Sequence, residues 1–379
     1  MMNKRLLSLD ILRGITVAGM ILVNNGWGES FEMLGHSKWN GMTPCDLVFP
    51  FFLFIMGISC YLSLVKSEFR PTPQVIRRIV KRTVLLFAIG LFINWFEYAI
   101  KGDLLCFGYL RIWAVMQRIA VCYGIVSLFA LFCNHRYTIP VVIVLLAVYS
   151  AILVFGNGYA YDADANILAQ VDLRLFGYDH LYHKGPVDPE GLLGTISSVA
   201  HVLLGFYCGK LIRQKETIEQ KVTALFVVGT VLVIGGYLLS YGLPLNKRIW
   251  SPSYVMVTCG LASLLQALLM YVIDLKPRAN VQSSARPKDA CYQRDARMFN
   301  VQWYSFFHVF GVNALALYVS SELLAILLGH IGVSGIVYNA IHTVIPPLKW
   351  ASLAYAIYFV LLNFIIGYGL YRKKIYIKL

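Results

Sequence analysis

The chain has 379 residues, 58% of them hydrophobic and only 14% charged, with 33 Lys and Arg against 19 Asp and Glu for a formal net charge of +14. A soluble domain is about half apolar and about a quarter charged, so an ordinary soluble fold is excluded. Many apolar runs of helical length point to an all-α polytopic membrane protein, and without alternating strands a β-barrel is not expected.

In chain order the sequence predicts ten helical spans within a single transmembrane domain over 1–379: Leu6–Asn25, Cys45–Val65, Thr83–Ile100, Trp113–Cys133, Thr138–Phe155, Gly191–Ile212, Val222–Tyr241, Ser253–Asp274, Phe306–Leu328 and Ala351–Tyr371. An even number puts both termini on one side. That side holds 23 Lys and Arg and the opposite side nine, with Arg13 inside the first span. The positive-inside rule then makes the termini cytoplasmic, with Lys38 and Asp179 facing outward. The positive charge follows from this topology and from anionic lipid rather than nucleic acid. The N-terminal run has no small-residue cleavage site and is interrupted by Asp10 and Arg13, so it is expected to be a retained span. The longest exterior loop is 156–190 and the longest cytoplasmic loop is 275–304.

Polar residues gather at the span ends. Asn24 and Asn25 close the first span, His36, Trp39 and Asn40 lie in the next loop, and Asp46 opens the second span. An imidazole, an amide and a carboxylate at a membrane mouth suit general-base chemistry with an amide donor for an oxyanion. The alternative is helix capping and an interfacial Trp anchor. Further polar groups fall on the same face: Arg111, Gln117 and Arg118 before and within the fourth span, Asp188 and Glu190 before the sixth, Asn246 and Lys247 before the eighth. Arg111 and Arg118 are two helical turns apart and are expected to share a face. These groups line a cavity or form structural ion pairs.

At the other face, "RLLSLDILRG" carries Arg5, Ser8, Asp10 and Arg13, and the tail "YRKKIYIKL" carries Lys373 and Lys374. The Asp10–Arg13 spacing suits a local ion pair. The basic cluster suits a phosphate-rich ligand, or anionic lipid. Walker A, GxGxxG and HExxH patterns are absent, so nucleotide hydrolysis, a Rossmann site and a zinc site gain no support. The eight cysteines, at 45, 60, 106, 122, 133, 208, 259 and 291, form no CxxC pair. They read as buried small apolar residues, and neither a metal nor a disulfide framework is expected. His201, His308, Asn313 and Glu322 lie inside spans, where proton-coupled transporters place such groups.

The segments "RLLSLDILRGITVAGMILVNN" and "HSKWNGMTPCDLVFPFFLFIMG" resemble the heparan-α-glucosaminide N-acetyltransferase family. The likeness continues in "RIWAVMQRIAVCY", "DPEGLLGTISSVAHVLLGFYCGK", "PLNKRIWSPSYV", "GVNALALYV" and the tail, nearly the whole chain in order. The resemblance implies transfer of acetyl from cytosolic acetyl-CoA to a terminal glucosamine on the opposite side. It implies His36 as the active-site histidine with Asn24 beside it, and Arg5, Arg13, Lys373 and Lys374 where the CoA nucleotide is met. Aromatic residues of loop 156–190 would stack on the sugar, with Asp188 or Glu190 accepting its hydroxyls. Direct transfer and an acetyl-histidine route stay open. The lysosomal members carry an additional luminal domain and a preceding span. The expectation here is therefore a bacterial-type relative in the cytoplasmic membrane. Its expected partners are acetyl-CoA, an amino sugar and membrane lipid, with a homodimer left open and no nucleic acid. The rival functions are a secondary transporter of a sugar or organic anion, and an O-acyltransferase acting on a surface glycan.

Overall fold

The computed structural model describes residues 6–182, 185–275 and 304–377. Helices dominate: α1 Leu7–Asn24, α2 Val48–Leu64, α3 Pro73–Ala99, α4 Val115–Phe132, α5 Thr138–Phe155, α6 Ile167–Phe176, α7 Gly194–Gln214, α8 Ile218–Ser240 and α9 Pro252–Leu269. After α9 come α10 Tyr304–Val312, α11 Ala314–His330, α12 Val333–Val344 and α13 Leu348–Arg372. Among the described residues nine helices are long and apolar enough to cross a membrane, and α10 with α11 forms a bent tenth candidate. The only departure from helix and loop among these residues is an isolated bridge between Gly41 and Asn246.

Inner and outer helices differ in burial. In α7, 78% of the most apolar window is buried, against 17% in α3 and α8. The inner set α1, α2, α4, α7 and α9 therefore forms the packed centre, and α3, α5 and α8 present apolar surface outward, as lipid-facing helices do. The start of α3 follows local capping rather than a membrane boundary. Thr72 accepts from the Val75 amide at 3.4 Å, with Pro73 in the first turn. This starts α3 well before the predicted Thr83 and draws Arg77, Arg78, Lys81 and Arg82 into the helix.

The predicted straight span Phe306–Leu328 is instead two helices meeting at 85°. Between them, the Asn313 amide donates to the Ile375 carbonyl at 3.0 Å and its carbonyl accepts from the Ile377 amide at 2.9 Å. An Asn bonded to backbone elsewhere in the chain competes with helix continuation. Loop 156–190 likewise holds a helix, α6, whose N-cap Asn166 accepts from the Leu168 amide. α12 was also not anticipated by the sequence. The expected cytoplasmic loop 275–304 falls almost wholly outside the described residues, as does Arg5.

α2 and α7 cross where Gly57 faces Gly205. A Cβ on Gly57 would fall 2.1 Å from the Val202 carbonyl oxygen, and one on Gly205 would fall 2.1 Å from that of Phe54. Only glycine permits this approach. The crossing matters for chemistry because the head of α2 carries Cys45 and Asp46. Gly205→Ala is expected to force the helices apart and cost about 1–3 kcal/mol or more. Thermal unfolding in detergent reads this directly, and an unchanged Tm would contradict the close crossing.

Candidate active site

Hydrogen bonds tie four connecting segments together at the end of the bundle away from Arg13 and the C-terminal tail. The Trp39 indole donates to the Tyr159 carbonyl at 3.0 Å. The Gly41 amide donates to the Leu245 carbonyl at 2.7 Å. The Asn246 amide donates to Asn40 Oδ1 at 3.2 Å. Arg111 donates to Asp188 at 2.7 Å and to Glu190 at 3.0 Å. The sequence expected polar groups of these span ends on one face, and Trp39, Asn40, Arg111, Asp188, Glu190 and Asn246 make contacts between the segments here.

Asp46 is the centre of this assembly. It sits in a 3-10 turn, Pro44–Leu47, that leads into α2, and Thr43 and Asp46 form a capping box there. The carboxylate is fully buried. One oxygen accepts from the Ser37 amide, the Thr43 amide and the Thr43 hydroxyl, each at 3.1 Å. The other oxygen is 2.8 Å from His36 Nδ1 and 3.4 Å from Lys247 Nζ. Its backbone carbonyl accepts from the Tyr254 hydroxyl at 2.6 Å. A buried carboxylate needs this many donors to offset desolvation.

His36 is half exposed, at 51% of its side chain. Asp46 fixes one ring nitrogen, so the resting tautomer donates from Nδ1 and keeps a lone pair on Nε2. Lys247 Nζ lies 3.0 Å from Nδ1 and 3.3 Å from Nε2. Cys45 Sγ is 3.1 Å from Nδ1. A cavity of about 180 Å3 is lined by Val23, Asn24, Gly35, His36, Cys45 and Ser352. Asn24 donates to Glu322 on α11 at 3.4 Å, which leaves its second amide hydrogen for the cavity. The His36, Cys45 and Asp46 ligand atoms lie within 4.8 Å of one another, a spacing able to hold a metal ion. The Lys247 ammonium contacts the same nitrogen and the same carboxylate, so the site already contains a cation.

The flanking charges largely satisfy one another. Arg111 precedes α4 outside any helix, so it does not share a helix face with Arg118 as expected. Both nevertheless grip one loop: Arg118, fully buried, donates to the Pro189 and Gly191 carbonyls at 2.8 Å each. Burial works against the Arg111 charge, but Glu190 and Asp188 outweigh it and hold its guanidinium above the ordinary range. Burial pushes the nearby Asp172 carboxyl up to about 6, against the Leu192 amide that it accepts. Gln117 is fully buried, and neither amide atom has a partner among the described residues.

At the opposite end, Asp10 and Arg13 form the expected ion pair at 3.0 Å. Arg13 also donates to the Ser59 hydroxyl at 2.8 Å and the Gly311 carbonyl at 3.4 Å. Ser8 is buried and accepts from Gln266 at 3.1 Å. The tail docks on Asn313, two residues from that Gly311 carbonyl, with Lys373 and Lys374 exposed. Sequence reasoning missed the placement of Cys45, which it read only as a small apolar residue. It also left Glu322 without a partner, and only the fold brings α11 to Asn24. Six of the seven described cysteines are buried and Cys133 is exposed.

A family model described as heparan-alpha-glucosaminide N-acetyltransferase, catalytic, matches residues 5–241. The mouse protein named heparan-alpha-glucosaminide N-acetyltransferase is 28% identical over 329 residues, covering 72% of this chain and 50% of its own length. The human protein of that name is 28% identical over 338 residues, with 72% and 49% covered. The chain thus spans about half the length of the curated relatives it matches.

Asp46→Ala leaves the Lys247 ammonium and four other donors without their acceptor. The expected loss is about 3–5 kcal/mol, the range for orphaning one side of a buried pair. Asp46→Asn, which keeps the size and one acceptor oxygen, is expected to lose less. Paired Tm measurements check the order, and equal Tm values for wild type and Asp46→Ala would contradict it.

Proposed function

The chain belongs to the heparan-alpha-glucosaminide N-acetyltransferase catalytic family, and on that premise we propose that it moves an acetyl group from acetyl-CoA on the cytoplasmic side to the amine of a glucosamine or related amino sugar on the other side. The proposed setting is a bacterial cytoplasmic membrane, with both termini inside. The observation that carries the reading is the Asp46–His36 pair at 2.8 Å, opening onto a cavity that Asn24 shares.

In this reading His36 is the general base. Asp46 orients the ring, and the free ring nitrogen takes the proton that the amine loses as it attacks the thioester carbonyl. Asn24 donates its second amide hydrogen to the oxyanion of the tetrahedral intermediate. Trp39 and Asn40 shape the mouth, and Asn246 and Lys247 close it from the α8–α9 side. Arg111, Gln117, Arg118, Asp188 and Glu190 form the wall behind them, where the sugar hydroxyls would be received. The CoA nucleotide meets the basic end of the bundle, where Arg13, Lys373 and Lys374 lie with Ser8 and Asp10; Arg5 is assigned to this role from the sequence alone. CoA is large and anionic, so the pantetheine arm must thread between the inner helices while the nucleotide stays outside the hydrocarbon.

His36→Ala is expected to leave CoA binding near wild type, because the ring is far from the basic cluster, and to lower Tm modestly, because the buried Asp46 carboxylate loses one of its donors. Acetyl transfer to glucosamine is expected to fall by roughly two to four orders of magnitude, the range for losing a general base. The check is one preparation assayed for Tm, CoA affinity and product. A folded, CoA-binding mutant that acetylates at the wild-type rate would remove His36 from the chemistry. Product formed only with hydroxyl acceptors would redirect the reading to O-acylation.

A further inference from the structure

We propose that Cys45 is an acyl carrier: its thiol takes the acetyl group from acetyl-CoA as a thioester and hands it to the acceptor amine. The proposal rests on the acetyltransferase reading above and adds a residue and an intermediate to it.

Three observations support it. Cys45 Sγ lies 3.1 Å from His36 Nδ1, within reach of a base. That base is held in turn by Asp46 at 2.8 Å. Sulfur and carboxylate meet the same ring nitrogen, so the thiol–imidazole contact is the activating one, and the ring must carry its hydrogen on Nε2 before Nδ1 can take the thiol's proton. Finally, Cys45 lines the same cavity as His36 and Asn24, so a thioester formed on it sits before the oxyanion donor. Of the other buried cysteines, Cys106 lies in a 3-10 turn between α3 and α4 and the rest lie along the spans, and none of their described sulfur contacts is to an imidazole nitrogen.

Protonation is consistent with the contacts. In the resting tautomer Nδ1 donates to Asp46. In the other tautomer the ring proton sits on Nε2 and Nδ1 accepts from the thiol. Asp46 then still holds the Ser37 amide, the Thr43 amide, the Thr43 hydroxyl and the Lys247 ammonium. The sulfur is buried beside the Asp46 carboxylate, and Lys247, which also contacts Nδ1, only partly offsets this with its positive charge, so the thiol gives up its proton to His36 as it attacks rather than beforehand.

The steps balance. The Cys45 thiol gives its proton to His36, its sulfur bonds to the acetyl carbon, and the bond from that carbon to the CoA sulfur breaks. His36 returns the proton to the CoA thiolate, which leaves as CoA thiol. The neutral acceptor amine then attacks the Cys45 thioester and its nitrogen bonds to the acetyl carbon. His36 takes one amine proton, the carbon–sulfur bond to Cys45 breaks, and His36 reprotonates the thiolate. Exchange between two thioesters keeps the acyl group equally activated, so the two large substrates need not be bound together.

The test uses purified full-length protein and isotopically labelled acetyl-CoA without acceptor, quenched in acid and digested with trypsin. Cleavage after Lys38 separates His36, in residues 14–38, from Cys45, in residues 39–66. The expected label is on Cys45, removed by neutral hydroxylamine and discharged onto glucosamine at a rate no slower than turnover. Cys45→Ala and Cys45→Ser, checked for Tm and CoA binding, are expected to lose the label and to turn over slower by roughly two orders of magnitude or more, as expected on loss of a nucleophile. Label confined to residues 14–38, or Cys45→Ala turning over at the wild-type rate, overturns the carrier and leaves the acetyltransferase reading intact. A wild-type protein that neither takes up label nor acetylates any amino sugar overturns both.

Discussion

A carboxylate taken out of water at the head of α2 must be neutralised, and Asp46 draws on two chain segments to achieve this, while a third holds its backbone. The loop between α1 and α2 supplies His36 and the Ser37 and Thr43 donors, and the turn before α9 supplies Lys247. α9 itself supplies Tyr254, whose hydroxyl reaches the Asp46 carbonyl. Remove the charge and the reason for these segments to converge disappears. The geometry of the base, the thiol and the cavity all follow from that convergence. The flanking ion pairs of Arg111 and the buried bonds of Arg118 fix the neighbouring loop that carries Asp188 and Glu190.

Such a site suits a reaction whose two substrates cannot meet in one aqueous compartment. The inner helices are packed around small-residue crossings such as Gly57 with Gly205, while the outer helices face lipid. The bundle thus has two polar ends joined by an apolar middle. At one end lie Arg13, the α10–α11 bend and the tail held by Asn313. At the other lie Asp46, His36 and Asn24. A thioester arm can pass through such a middle more readily than the charged nucleotide that carries it, and this physical asymmetry is what gives the proposed transfer its direction.

Much of this was legible in the sequence because membrane spans are long, apolar and bounded by polar residues. The all-α polytopic architecture follows from span order, with nine of the ten expected spans found as single helices among the described residues and the ninth in chain order found as the bent pair α10–α11. Local backbone chemistry was less legible. Thr72 and Pro73 start α3 early through capping, and Asn313 breaks a continuous apolar run because its partners lie some sixty residues away in the tail. Arg111 was expected to share a face with Arg118 from their seven-residue spacing, whereas it lies before α4 outside any helix. Cys45 illustrates the limit most sharply. A cysteine in an apolar run is usually core, and only the turn at Pro44–Leu47 brings its sulfur against His36.

Vectorial transfer is the central claim, and sealed vesicles of defined orientation test it most directly. Inverted vesicles, with the cytoplasmic face outward, would be loaded with glucosamine and given labelled acetyl-CoA outside, alongside right-side-out vesicles treated identically. The account predicts N-acetylated sugar inside the inverted vesicles and none inside the right-side-out ones. Product in the right-side-out vesicles, or product only when donor and acceptor share a compartment, would contradict it.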